Sequence, residues 1–245
     1  MTTTWMILGA TSAIARAFAR RAASEGCGLI LAGRDATELN ALATDMILRG
    51  AGHVSVLPFD ASHPEAIGNL ADAARAASQP VSVFLAFGMM PDENLMTVDA
   101  DLCARMIDTN YTAPVLALNA LLPLFEHQQG GRIVVLGSVA GDRGRKKNYL
   151  YGSSKAGLHA YVGGLAARLS AVKVPVLLVK PGVIDTAMTW GLKNPPLPLG
   201  TPEGLADACW KKSAKGGVLY YPWFWWGVMT IIKHLPRQIF NRLNF

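Results

Sequence analysis

The feature that most constrains this chain is its alternation between two kinds of apolar segment. Short runs rich in Val, Ile and Leu fall at 4–8, 27–32, 53–57, 81–86, 131–136, 174–179 and 217–221. Longer stretches with the apolar spacing of a helix lie between them, at 12–25, 35–49, 64–77, 99–128, 149–170 and 202–214. Strands joined by connections long enough to hold a helix pair in parallel, and near-continuous apolar strands belong to a sheet covered on both faces. The pattern predicts an α/β fold: a doubly wound, parallel, seven-stranded sheet with helices on both faces. No linker, charge block or internal repeat divides the 245 residues. One domain over 1–245 is expected, with a basic aromatic tail over 222–245.

In such sheets ligands bind beyond the carboxyl ends of the strands, so the residues there carry the functional information. The first strand runs into Gly9-Ala10-Thr11-Ser12-Ala13-Ile14-Ala15 and then a helix. A turn of small residues brings backbone N–H groups and a helix N-terminus close to a pyrophosphate, with Gly9, Thr11, Ser12 and Ile14 as candidates. Small residues also serve plain close packing at such a turn. The second strand ends Leu31-Ala32-Gly33-Arg34, with no carboxylate to accept from a free ribose hydroxyl and with Arg34 placed to pair a 2′-phosphate. That favours NADP(H) over NAD(H); a solvated surface arginine is the alternative. Asp60 follows the third strand and Gly88 the fourth.

Tyr151 and Lys155 stand four apart, which puts phenol and ammonium on one helix face. About one such pair in four chains of this composition arises by chance, so the pair alone decides little. Ser138, at the end of the strand Ile133-Val134-Val135-Leu136, Asn110 in the preceding helical stretch, and Pro181-Gly182-Val183-Ile184-Asp185-Thr186 after the next strand give it context.

In order and spacing these residues resemble the short-chain dehydrogenase/reductase family. Its T-G-x-x-x-G-x-G motif keeps only Gly9 here, with Leu8, Ala13 and Ala15 at the other places, and its N-N-A-G reads Leu85-Ala86-Phe87-Gly88. The resemblance implies a Rossmann-like fold, a nicotinamide cofactor and hydride transfer between it and a carbonyl or alcohol, commonly in a homodimer or homotetramer. It implies Tyr151 as acid or base, Ser138 as hydrogen-bond donor to the substrate oxygen, and Lys155 as support for phenolate and holder of the nicotinamide ribose. Asn110 would fix a water in the proton path, and Asp60 would hold the adenine amino group. Pro181, Gly182, Ile184 and Thr186 would form the cofactor loop. The chemistry needs such a set, because hydride addition leaves an alkoxide that requires a proton and hydrogen bonds where charge develops.

Ala86-Phe87-Gly88, Asn110-Tyr111-Thr112, the segment 141–148 and the ending 234–240 are similar to the decaprenylphosphoryl-2-keto-ribose reductase group, which implies a keto sugar linked to a polyprenyl phosphate. Arg143, Arg145, Lys146 and Lys147 could then meet a phosphodiester, although a charge run is more often simply solvated. All excess positive charge lies beyond residue 210, where Lys211, Lys212, Lys215, Lys233, Arg237 and Arg242 face no Asp or Glu. With Trp223, Trp225 and Trp226 alongside, this tail suits peripheral membrane contact; packing on the core or on another subunit is the alternative. The uncharged run 216–232 is short for a membrane span.

Three scattered cysteines suggest neither disulfides nor a metal site, and no charged leader precedes the first strand, so a cytoplasmic chain is expected, membrane-associated if the tail makes that contact. No recognition helix or aromatic–basic motif points to nucleic acid in the first 210 residues. Two other functions fit the same residues: reduction of a soluble ketone, sugar or acyl substrate, and a non-catalytic nucleotide sensor or scaffold.

Overall fold

The computed structural model describes residues 3–63, 66–128, 130–189 and 198–240. Seven strands form one sheet: β1 (Thr4–Leu8), β2 (Gly28–Gly33), β3 (His53–Pro58), β4 (Val81–Leu85), β5 (Ile133–Leu136), β6 (Val176–Pro181) and β7 (Gly217–Tyr221). Their order is β3-β2-β1-β4-β5-β6-β7 and every neighbouring pair is parallel. The direction of winding reverses between β1 and β4, which opens a crevice at their carboxyl ends.

Alternate side chains of each strand feed two separate cores. Trp5 and Ile7 of β1 face α1 (Ala13–Ser24), α2 (Ala36–Leu48) and α8 (Pro202–Ser213), where Phe18 stacks on Phe84 at 3.9 Å between ring centroids and meets the Trp5 edge at 4.8 Å. Met6 and Leu8 face α3 (Ile67–Arg75), α6 (Ala113–His127) and α7 (Tyr149–Leu169). Burial on both faces explains why β1, β2, β4 and β5 read as continuous apolar runs, while the edge strands β3 and β7 are partly exposed.

The helix expected over 99–128 is broken. It comprises α5 (Ala100–Ile107), a π-helical turn over Asp108–Thr112 and α6. Pro114 lacks the N–H that an α-helix would donate to the Asn110 carbonyl, so the ladder is interrupted where Asn110 sits. A further helix, α4 (Glu93–Val98), precedes α5; Asp92 caps the first and Asp99 the second. The irregular loop expected over 190–202 falls mostly on 190–197, and the start of the helix expected at 64 on 64–65, both outside the described residues. Arg242 also lies outside them.

The tail is divided between core and surface. Helices α9 (Trp225–His234) and α10 (Arg237–Phe240) bury Trp225, Met229, Ile232 and Phe240 against Val139, while Trp223 and Trp226 are 83% and 64% exposed. No described helix is long and apolar enough to cross a membrane. Arg143 does not stand free to meet a phosphodiester. Its guanidinium donates to the Ile232, Lys233 and Leu235 carbonyls, the last at 2.8 Å, and covers the Phe240 ring. These are the orphan carbonyls at the end of α9, so Arg143 closes that helix and clamps the tail to the body.

Arg143→Leu, which keeps bulk and removes the donors, is expected to lower unfolding free energy by about 1–3 kcal/mol in urea titrations, the usual scale for charged hydrogen bonds. An unchanged midpoint would show that the tail is held by its apolar face alone.

Candidate active site

The expected site residues gather in two groups along the carboxyl edge of the sheet. At the outer end, Arg34 after β2 is exposed and Asp60 follows β3. Asp60 accepts from the Ser62 amide and hydroxyl at 2.9 and 2.8 Å; the amide bond, with help from that hydroxyl and from the Arg34 charge, holds its carboxyl below the usual range. Asp35, adjacent to Arg34, caps α2 by accepting from the Glu38 amide at 2.9 Å.

The β1–α1 turn lies between the two groups. Gly9 has φ +78°, and a Cβ there would come 2.9 Å from Phe87, so both conformation and the close approach of the β4 loop require glycine. The Gly9 and Ala10 amides bond the Ala32 carbonyl, and Ser12 caps α1 by accepting from the Ala15 amide. Ala13 and Ala15, which replace glycines of the motif, do not disturb the turn: Ala13 is exposed and Ala15 lies fully inside the core. Thr11 and Ile14 are partly buried beside them, and no acidic residue occupies the first turn of α1. A Ser-capped helix N-terminus free of carboxylates behind a glycine turn suits a pyrophosphate.

At the inner end, α7 lays Tyr151 and Lys155 against the end of β5. Ser138, Tyr151 and Lys155 are 9%, 7% and 5% exposed, and Asn110 is fully buried. Burial raises the Tyr151 phenol, while the nearby Ser138 side chain and the Arg145 guanidinium pull the other way. Lys155 Nζ lies 5.9 Å from the Tyr151 ring centre.

Asn110 uses its side chain as a clamp. Oδ1 accepts from the Met89 amide at 2.8 Å, and Nδ2 donates to the Met89 carbonyl at 2.8 Å and to Ser154 Oγ at 3.3 Å. It thus locks the loop containing Gly88 to α7, in place of the asparagines missing from that loop. A Cβ on Gly88 would lie 3.4 Å from Lys155 Nζ. Beyond β6, the Gly182 amide bonds the Tyr221 carbonyl, Ile184 is buried, and Thr186 closes a turn with Thr189. The Trp225 indole covers Gly182 so closely that any side chain there would overlap it.

Several of these partners do not emerge from the sequence reading: Arg145 beside Tyr151, Trp225 on Gly182, Glu93, which accepts from the Leu150 amide at 2.6 Å, and an Asp142–His159–Lys180–Tyr220 cluster behind Ser138. For His159 a signal was present, since it continues the spacing of four from Tyr151 and Lys155.

The family model described as short chain dehydrogenase matches residues 3–196. An uncharacterized oxidoreductase of Mycobacterium tuberculosis is 35% identical over 240 residues, 97% of this chain and 96% of its own length. One of Streptomyces coelicolor is 35% identical over 244 residues, 97% and 94% of the two chains. Among solved structures, a short-chain dehydrogenase from Sphingobium yanoikuyae in complex with NADPH is similar with TM-score 0.82 and 25% identity over 97% of each chain. A 3-oxoacyl-[acyl-carrier protein] reductase from Brucella melitensis shares the fold, with TM-score 0.78 and 22% identity over 89% of each.

The Lys155 ammonium has three protons to donate, and among the described residues its one hydrogen bond is to the Leu136 carbonyl at 3.4 Å. Burial pushes its pKa down to about 8. The unfolded chain therefore binds a proton that the folded chain resists between about pH 8 and the ordinary lysine value near 10.4. The folded state is penalised below pH 8, and the penalty fades as pH rises through that window. Lys155→Met, of similar length and uncharged, is expected to stabilise the free protein at pH 7 by on the order of 1–3 kcal/mol. In urea titrations at stepped pH the advantage should shrink toward pH 10; a constant difference would mean that Lys155 is not paying a charge-burial cost.

Proposed function

The chain belongs to the short-chain dehydrogenase family, and from that membership we propose that it reduces a keto group to an alcohol with a nicotinamide cofactor, NADPH in preference to NADH. The observation that carries this reading is the Tyr151 phenol, buried near the equally buried Ser138 and set on the same helix face as the buried Lys155 ammonium.

The residues present fit such a cofactor. The Gly9–Ile14 turn would hold the pyrophosphate, Arg34 a 2′-phosphate and Asp60 the adenine side. Lys155, short of acceptors in its buried position, would take ribose hydroxyls, and Gly88, Pro181, Gly182, Ile184 and Thr186 would flank the nicotinamide half. When bound, the cofactor supplies the hydride. Tyr151 donates its proton to the oxygen on which charge develops, and the Ser138 hydroxyl bonds that same oxygen. Asn110 holds the Gly88–Met89 loop against α7, and its carbonyl, deprived of an α-helical donor by Pro114, is the group suited to keep a water in the proton path.

For the substrate we propose a 2-keto sugar carried on a polyprenyl phosphate. Support comes from the sequence resemblance and from the tail, where exposed Trp223, Trp226 and Ile231 stand among basic residues on a segment whose Trp225 packs on Gly182. That surface suits the interface of an anionic membrane in which a polyprenyl chain would reside. Arg145, Lys146 and Lys147 remain for the phosphodiester, Arg143 being committed to the tail.

NADPH and NADH oxidation should be followed with a prenylphosphoryl 2-keto-pentose and, in parallel, a panel of soluble ketones. Turnover restricted to the lipid-linked sugar supports the full reading; turnover of soluble ketones alone leaves the reductase and removes the lipid; none with either refutes catalysis. Tyr151→Phe is expected to lower kcat about 10²–10⁴-fold, with NADPH affinity nearly unchanged. Separately, Arg34→Asp should reverse the NADPH preference, and an unaltered ratio of kcat/KM values would remove Arg34 from the phosphate site.

A further inference from the structure

The working face of α7 continues beyond Lys155 to His159, and the fold sets that imidazole directly behind Ser138. His159 Nε2 lies 3.4 Å from the Ser138 amide nitrogen, and Nδ1 lies 3.6 Å from Asp142 Oδ1. The two side chains are 10% and 2% exposed. The ring occupies a slot made by glycine: a Cβ on Gly137 would come 2.5 Å from Nε2, and one on Gly141 2.7 Å from Cε1. Any side chain at either position would drive the ring from its place.

Asp142 is itself held from three sides. Lys180 Nζ donates to Oδ1 and the Tyr220 hydroxyl to Oδ2, both at 2.5 Å, and Lys233 Nζ stands 3.4 Å from that hydroxyl. Burial opposes ionisation of Asp142, but the bonds from His159, Lys180 and Tyr220 outweigh it and keep the carboxyl well below its usual range. One tautomer of neutral His159 suits both neighbours: Nδ1–H faces the carboxylate at 3.6 Å, and the Nε2 lone pair accepts the Ser138 N–H.

We propose that His159, oriented by Asp142, is a positioning residue that grips the Ser138 amide and thereby fixes the turn from which the Ser138 hydroxyl meets Tyr151. The proposal rests on the roles given to Ser138 and Tyr151 above. The Ser138 hydroxyl also accepts from the Ala140 amide at 3.1 Å, so amide and side chain are anchored at two points of one short turn. Protonating His159 would replace an acceptor by a second N–H facing the Ser138 N–H, and the grip would be lost. The charged and titratable groups around the ring are Asp142, Lys180 and Lys155, with Tyr220, Arg145 and Lys233 grouped about the carboxylate and its partners. Burial, opposed by Asp142, lowers the His159 pKa, so the grip holds at neutral pH and fails as pH falls through a value below the ordinary histidine range.

His159→Leu removes the acceptor, whereas His159→Gln retains one at the reach of Nε2 and does not titrate. The expected result is a loss of kcat of about 10–10²-fold in His159→Leu, the scale of a small misplacement at a reacting centre, with the cofactor dissociation constant little changed. His159→Gln should recover most of that rate and flatten the acid limb of the kcat–pH profile. Full activity in the leucine variant, equal loss in both variants, or an acid limb untouched in His159→Gln would each overturn the proposal. Independently of turnover, the Ser138 amide resonance of ¹⁵N-serine-labelled wild-type protein should titrate together with the His159 ring. A Ser138 amide blind to that ionisation overturns the positioning role even if ketone reduction is found; an amide that responds, in a protein that reduces no ketone, retains the coupling and discards the catalytic reading.

Discussion

The site depends on how closely α7 seats on the turn that leaves β5. A Cβ on Gly152 would come 2.9 Å from the Ala140 carbonyl oxygen, and one on Gly141 would come 2.8 Å from the backbone of Lys155. Helix and turn therefore touch backbone to backbone, and a methyl group at either glycine would hold them apart. Only at this spacing can Lys155 reach the Leu136 carbonyl and His159 reach the Ser138 amide. The helix divides its labour along its length: Leu158, Val162, Leu165 and Leu169 anchor it in the apolar core under the sheet, and the polar residues ride on that anchor at its N-terminal end.

What was legible in the sequence was what is local. Each strand is a fully or partly buried apolar run bounded by turn residues, and Ser138, Tyr151 and Lys155 follow one another within a single β–turn–α unit. Asp142, His159, Lys180 and Tyr220 lie on four different segments that meet only because β5, β6 and β7 pair in that order. No spacing along the chain encodes their meeting. The break at Asn110 was signalled by Pro114, but a run that is otherwise helical by period hides it. In the tail, composition announced three tryptophans without saying which would turn inward; that choice is made by Gly182, whose bare backbone leaves room for the Trp225 indole.

The buried charges fall into two kinds, and their partners separate framework from ligand-facing surface. Asp142 is met by Lys180, Tyr220 and His159, so its burial is compensated within the protein and its position is rigid. Lys155 is as deeply buried but among the described residues has a single long bond to a carbonyl, which leaves donor capacity unused. A protein that keeps such an ammonium is less stable free than liganded, since binding stabilises the state that holds the ligand.

The framework charges also reach outward. Tyr220 and Lys233 connect Asp142 to β7 and α9, and Arg143, one residue on, binds the carbonyls that end α9. Val139, in the turn that follows Ser138, packs in the same apolar cluster as Trp225, Met229 and Ile232. The tail and the Ser138 turn are thus parts of one packed unit, although some ninety residues separate them in sequence. The exposed rings of Trp223 and Trp226 stand on the outside of that unit. The segment that presents them is packed and hydrogen-bonded to the turn that carries Ser138.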